Sequence, residues 1–129
     1  MIKRNLPRPT DAELEILRVL WQRGPSTVRD VHDTLNEIKP SGYTTVLKLM
    51  QIMTDKGLVK RDEDQRAHIY EAVAPQEQTQ RQLVGDLLER AFDGSATNLV
   101  MQALATKKTS AEDLSKIRRL LDEFERGNK

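Results

Sequence analysis

The sequence predicts a mainly α-helical protein with one small β-hairpin, and three observations carry that expectation. Residues 41–61, SGYTTVLKLMQIMTDKGLVKR, keep their apolar side chains on one side of a helix, stop at Gly57 and pass at once into a short basic strand. A second helical pattern ends just before Pro40, leaving only Pro40-Ser41-Gly42 as the connection. Two strand-like runs separated by a polar turn follow. Two short helices joined this tightly and trailed by a hairpin form a winged helix-turn-helix, here with a C-terminal helical region appended.

The first helix opens at Thr10. Thr10-Asp11-Ala12-Glu13 has capping-box spacing, in which the Thr hydroxyl and the Glu carboxylate each satisfy an orphan backbone N–H. Pro7 and Pro9 keep the segment before it extended. Leu14, Leu17, Val19, Leu20 and Trp21 then form an apolar stripe that ends near Gly24-Pro25, with Trp21 read as core. The second helix opens at Thr27, where Asp30 takes the Glu position of the box and, being shorter, is expected to reach back less well. Val28, Val31, Leu35 and Ile38 make its buried face, and Pro40 ends it by Lys39. His32 and Asp33 are helix neighbours about 100° apart, so they read as an exposed polar face rather than a catalytic pair.

On the third helix Val46, Leu49, Met50 and Met53 share one side. Thr44, Lys48, Gln51 and Asp55 point the other way with Thr45 flanking, and Gly57 suits a left-handed C-cap. Residues 58–61 and 67–73 are the strands, residues 62–66 the turn, and Pro75 closes the module. His68 alternates with Tyr70 on one strand face, which suits a packed or hydrogen-bonded role. Three helices fill the rest. The first carries Leu83, Val84, Leu87, Leu88, Ala91 and Phe92 to a stop at Asp93-Gly94, and the second Leu99, Val100, Ala103 and Leu104. The third is capped from Ser110 and carries Leu114, Ile117, Leu120, Leu121 and Phe124. The expected division is 1–75, the winged module, and 76–129, a helical dimerisation region.

Composition narrows the function. The 129 residues are 32% charged and 37% apolar, and no apolar run is long enough to span a bilayer, so a soluble cytoplasmic protein is expected. The first ten residues, MIKRNLPRPT, show no leader pattern. With no cysteine and only His32 and His68, a thiolate or buried metal centre is not expected, and no cofactor is implied. An enzyme would need clustered acid, base or nucleophile residues or a Gly-rich phosphate loop, and none is present. Net charge is +1 and neither half is basic, yet Lys39, Lys48, Lys56, Lys60 and Arg61 face a single acid, Asp55, between positions 39 and 61. A local positive face is what displaces counterions from DNA.

A helix that enters the major groove needs small polar and hydrogen-bonding residues near its N-terminus. Tyr43, Thr44, Thr45 and Lys48 meet that need: the threonines can bond a phosphate or base edge and pack a methyl on thymine, and Lys48 can reach guanine or a phosphate. Tyr43 suits backbone register, and Arg66 is the best candidate cation of the wing. One such helix covers few base pairs, so a two-fold pair reading a dyad is expected. The apolar residues Leu83, Leu87, Leu88, Leu99, Leu104, Ile117, Leu121 and Phe124 are the candidate dimer surface. The alternative is a winged-helix module for protein–protein contact without specific DNA binding.

With these residues in place, the chain resembles the BlaI/MecI/CopY family, the penicillinase repressors of bacteria. The resemblance rests on the order and spacing of Asp11-Ala12-Glu13-Leu14-Glu15-Ile16-Leu17, Leu20-Trp21, Thr27-Val28-Arg29-Asp30-Val31 and Tyr43-Thr44-Thr45-Val46. It continues through Lys56-Gly57-Leu58-Val59 and Arg66-Ala67-His68-Ile69-Tyr70. It implies a homodimeric repressor on a double-stranded dyad operator with TACA/TGTA-like half-sites, inactivated in the β-lactam branch through a membrane sensor-protease. It also implies that Thr44, Thr45 and Lys48 lie in the groove, with Tyr43 and Arg66 near the backbone. Three departures stand out. Gln102-Ala103 occupies the position of the Asn-Phe bond cut in staphylococcal relatives, the tail lacks the Cys-x-Cys motifs of the copper branch, and Ile52 replaces an Arg of several relatives.

Overall fold

The computed structural model describes residues 7–64 and 66–127; the N-terminal residues 1–6, Gln65 of the turn and the last two residues lie outside them. The fold is mainly helical with a two-stranded antiparallel hairpin, as the sequence predicts. The order is α1 (Asp11–Arg23), α2 (Val28–Asn36), α3 (Tyr43–Lys56), β1 (Val59–Asp62), β2 (Ile69–Ala72), α4 (Gln76–Ala91), α5 (Ala96–Thr106) and α6 (Ala111–Gly127).

Both capping boxes are closed. Glu13 N–H donates to Thr10 Oγ1 at 3.2 Å and Thr10 N–H to Glu13 Oε1 at 2.9 Å. The shorter Asp30 also reaches back fully, accepting from Thr27 N–H at 3.1 Å while Thr27 Oγ1 accepts from Asp30 N–H at 3.1 Å. Glu13 does a second job: Lys56, at the last turn of α3, donates to the same Oε1 at 2.7 Å. Glu13 is only 2% exposed, so the start of α1 and the end of α3 are tied by a charged hydrogen bond between a buried carboxylate and a partly exposed ammonium.

At the other end of α1 the chain leaves through Gly24, whose φ of 90° is a region open mainly to glycine. Ser26 then runs alongside β2, its N–H donating to Tyr70 C=O at 2.9 Å and Tyr70 N–H returning to Ser26 C=O at 2.8 Å. The hairpin therefore gains a one-residue third strand from the α1–α2 connection. Within the hairpin Val59 pairs with Ala72, Lys60 with Glu71, Arg61 with Tyr70 and Asp62 with Ile69. Gly57, at φ 83°, closes α3 as a left-handed cap and lets Leu58 and Val59 turn inward.

The core collects Ile16, Leu17, Val19 and Leu20 from α1, Val28 and Val31 from α2, and Val46, Met50 and Met53 from α3. Leu58, Val59 and Tyr70 close it from the hairpin. Trp21 lies half-buried at its margin, and its indole N–H donates to Ala74 C=O at 3.0 Å. Two expectations change here. Ile38 is 88% exposed rather than part of the buried face of α2, because that helix ends at Asn36 and Ile38 falls beyond it. His68 precedes β2 and is exposed, so it shares no packed face with the buried Tyr70.

Described residues up to Val84 form one compact unit and those from Gly85 onward another, so α4 contributes to both. In the second unit Asp93 (φ 50°) and Gly94 (φ 80°) end α4 in left-handed conformations, while Ser95 and Ser110 cap α5 and α6 by accepting from Asn98 and Asp113 N–H. No residue of α5 or α6 is buried.

Glu13 makes the N-terminal unit sensitive to acid. Burial pushes its carboxyl up, but hydrogen bonds from Lys56 and the Thr10 N–H outweigh it and hold the group below its ordinary value of 4.5. Its contribution is therefore complete above that value and is lost as pH falls through the lower folded one. Glu13→Ala should cost about 2–3 kcal/mol at pH 7, because Lys56 and the Thr10 N–H both lose a buried acceptor. Urea unfolding at pH 7 and at pH 3 checks this: the gap between wild type and variant should shrink in acid.

Candidate nucleic-acid interface

The candidate surface is the outer face of α3 and the connection that leads into it. Asn36, the last residue of α2, spans that connection with one side chain. Its Nδ2 donates to His32 C=O at 2.8 Å and to Ser41 C=O at 3.0 Å, and its Oδ1 accepts from Ser41 N–H at 3.0 Å. Residues 36 and 41 are thereby locked together, which sets the angle at which α3 departs. Gly42, the residue before α3, has no side chain to cap it, so the first N–H groups of the helix receive no side-chain acceptor from that position.

Tyr43 opens α3 and is held from α2. The Arg29 guanidinium lies 5.2 Å from its ring centroid, and the His32 ring meets it edge-on at 5.7 Å and 66°. His32 and Asp33 do touch, contrary to the expectation from their spacing: Nδ1 and Oδ1 are 3.0 Å apart. The contact is at the surface, so it orients the imidazole without forming a buried dyad. Arg29, His32 and Asn36 recur at i, i+3 and i+7 along α2, a polar stripe of which the sequence pattern singles out only His32.

Thr44, Thr45 and Lys48 are all exposed, and i+3 and i+4 spacing puts the threonines beside Lys48 on one surface. The buried face of the same helix is Val46, Met50 and Met53, as the periodicity predicts, with Leu49 half-buried. Ile52 extends the exposed face by another turn as an apolar residue. Arg66 stands exposed in the loop between β1 and β2, outside both strands.

The basic cluster of residues 39–61 is smaller than it looks in sequence. Lys56 is consumed by Glu13, Lys60 lies 3.5 Å from Glu71, and Arg61 donates through Nε to Glu63 at 2.8 Å. Hydrogen bonding to Tyr70 and Glu63 raises the Arg61 pKa above its ordinary value, and its charge is matched internally. Among the described residues, Lys39, Lys48 and Arg66 make no ion pair. No group of three His, Cys, Asp or Glu side chains among the described residues could hold a metal ion. Among the described residues, no helix is long and apolar enough to cross a membrane.

The family model described as penicillinase repressor matches residues 9–123. The transcriptional regulator BlaI of Mycobacterium tuberculosis is 32% identical over 124 residues, spanning 95% of this chain and 89% of its own. The chain belongs to the penicillinase repressor family. A more distant member, the penicillinase repressor of Bacillus licheniformis, is 20% identical over 126 residues and matches across 98% of both chains. The solution structure of the monomeric form of Bacillus licheniformis BlaI in complex with the blaP half-operator superposes with a TM-score of 0.51. That match covers 58% of this chain and 92% of the other at 20% identity, a likeness of fold. The penicillinase repressor fold thus accounts for the helix-turn-helix and hairpin.

Removing the clamp at the entry to α3 tests its role. Asn36→Ala should lower stability by about 0.5–1.5 kcal/mol, the usual net worth of such bonds at a partly solvated site. In amide exchange, Ser41 N–H should lose protection while Val31 N–H, inside α2, keeps it.

Proposed function

We propose that this chain is a transcriptional repressor that binds a two-fold operator sequence-specifically as a homodimer. The observation that carries the reading is the outer face of α3. Thr44, Thr45 and Lys48 are exposed near the N-terminal end of a helix whose opposite side is locked into the core, and Lys48 has no carboxylate partner among the described residues. Family membership supports it, since the relatives are named as a transcriptional regulator and a penicillinase repressor, and one was solved on a half-operator. Thr44, Thr45 and Lys48 would enter the major groove, while Tyr43 and Arg66 would meet the backbone. A DNA reader works where the chromosome is, which fits a cytoplasmic protein, and nothing in the site calls for catalysis.

The second half of the proposal concerns residues 76–129 as the dimerisation region. Leu87, Leu104, Leu121 and Phe124 are exposed, the last two by 57% and 61%, and Leu83, Leu88, Leu99 and Ile117 are only half-covered. So much apolar surface on three short helices is the signature of a face that needs a partner. A second copy supplies the two-fold axis that a dyad operator demands.

Thr45→Ala should relax operator preference by about 1–3 kcal/mol, the worth of one base contact, in titrations against the region upstream of the protein's own gene and a scrambled duplex. Equal affinity of the wild type for both duplexes would instead favour a protein–protein module. Sedimentation tests the dimer: the full chain should run as a dimer and Leu121→Glu as a monomer with an unchanged helical spectrum. A monomeric wild type at micromolar concentration would overturn that half.

A further inference from the structure

We infer that Arg29, seated on the ring of Tyr43, is a phosphate contact that extends the α3 interface onto α2. The inference rests on the DNA-binding reading of α3 and adds a residue from another helix.

Three observations lead to it. First, Arg29 is exposed, and among the described residues no carboxylate pairs with it. Asp30 beside it is taken up by the Thr27 cap and lies 3.7 Å from Arg23. Asp33, at the i+4 position where an ion pair with Arg29 would be natural, sits instead against His32 at 3.0 Å. Second, the guanidinium is not left to wander: it lies 5.2 Å from the Tyr43 centroid, within the range of cation–π attraction. A guanidinium resting on an aromatic face loses less freedom when it meets a phosphate, and its planar fork suits that anion. Third, Tyr43 is the first residue of α3 and adjoins Thr44 and Thr45, so the charge is anchored at the edge of the face proposed to enter the groove. The His32 ring meets the same tyrosine edge-on, and Tyr43 stays 40% exposed.

A phosphate contact carries no sequence information, so its loss has a distinctive pattern. In titrations of full-length protein against the upstream duplex and a scrambled duplex, Arg29→Ala should weaken both by a common factor. The slope of log affinity against log salt should become shallower by about 0.9, the share of one released counterion. Arg29→Lys should keep the slope but bind more weakly than wild type, because an ammonium stacks less well on the ring. Tyr43→Phe should keep the slope, whereas Tyr43→Ala should make it shallower even though Arg29 remains. An unchanged slope in Arg29→Ala, with thermal unfolding like that of wild type, would overturn the inference while leaving the repressor reading intact. A wild type that binds neither duplex would overturn both.

Discussion

The geometry of the N-terminal unit depends on one buried carboxylate. Glu13 closes the capping box that starts α1 and also receives the Lys56 ammonium from the far end of α3. These elements lie 43 positions apart in sequence, and no other charged contact joins them among the described residues. Because Glu13 is nearly dry, removing Lys56 leaves a buried carboxylate without its charged partner, so the pair fixes orientation more firmly than an exposed bridge could. The presented face of α3 is a consequence: one side is held by Val46, Met50 and Met53, its end by Glu13, and its start by Asn36 and the Tyr43 stack.

A second constraint comes from the α1–α2 connection. By pairing Ser26 with Tyr70 the chain stitches the hairpin to the helices through backbone hydrogen bonds, while the Tyr70 side chain fills the core. Two four-residue strands alone would be a marginal hairpin in water. Here they are supported on one side by Ser26 and underneath by Leu58, Val59 and Tyr70, so the loop bearing Arg66 projects from a fixed base.

Much of this was legible in the sequence because it is local. The capping residues Thr10 and Thr27, the Gly57 stop, the apolar period of α3 and the exposed Thr44, Thr45 and Lys48 follow from rules spanning a few residues. What escaped was non-local or depended on where a helix ends. Nothing near Ser26 announces a partner at Tyr70, and nothing near Lys56 announces Glu13, so Lys56 looked free when it is not. Periodicity alone puts Ile38 on a buried face, but the helix stops two residues earlier. His32 and Asp33 met because a flexible ring and carboxylate can curl toward each other despite the angle between their Cα–Cβ bonds.

The internal pairing of Lys60 and Arg61 with Glu71 and Glu63 has a consequence for how such a protein would be distributed along a chromosome. Arbitrary DNA holds a protein almost entirely through cations that shed counterions, and every genomic position competes for it on those terms. A hairpin whose strand cations are matched internally offers arbitrary sequence chiefly Arg66 to grip. On the proposed reading, fewer molecules are then parked on irrelevant sites, and occupancy of the true operator leans on the few side chains of α3 and on having two copies of them.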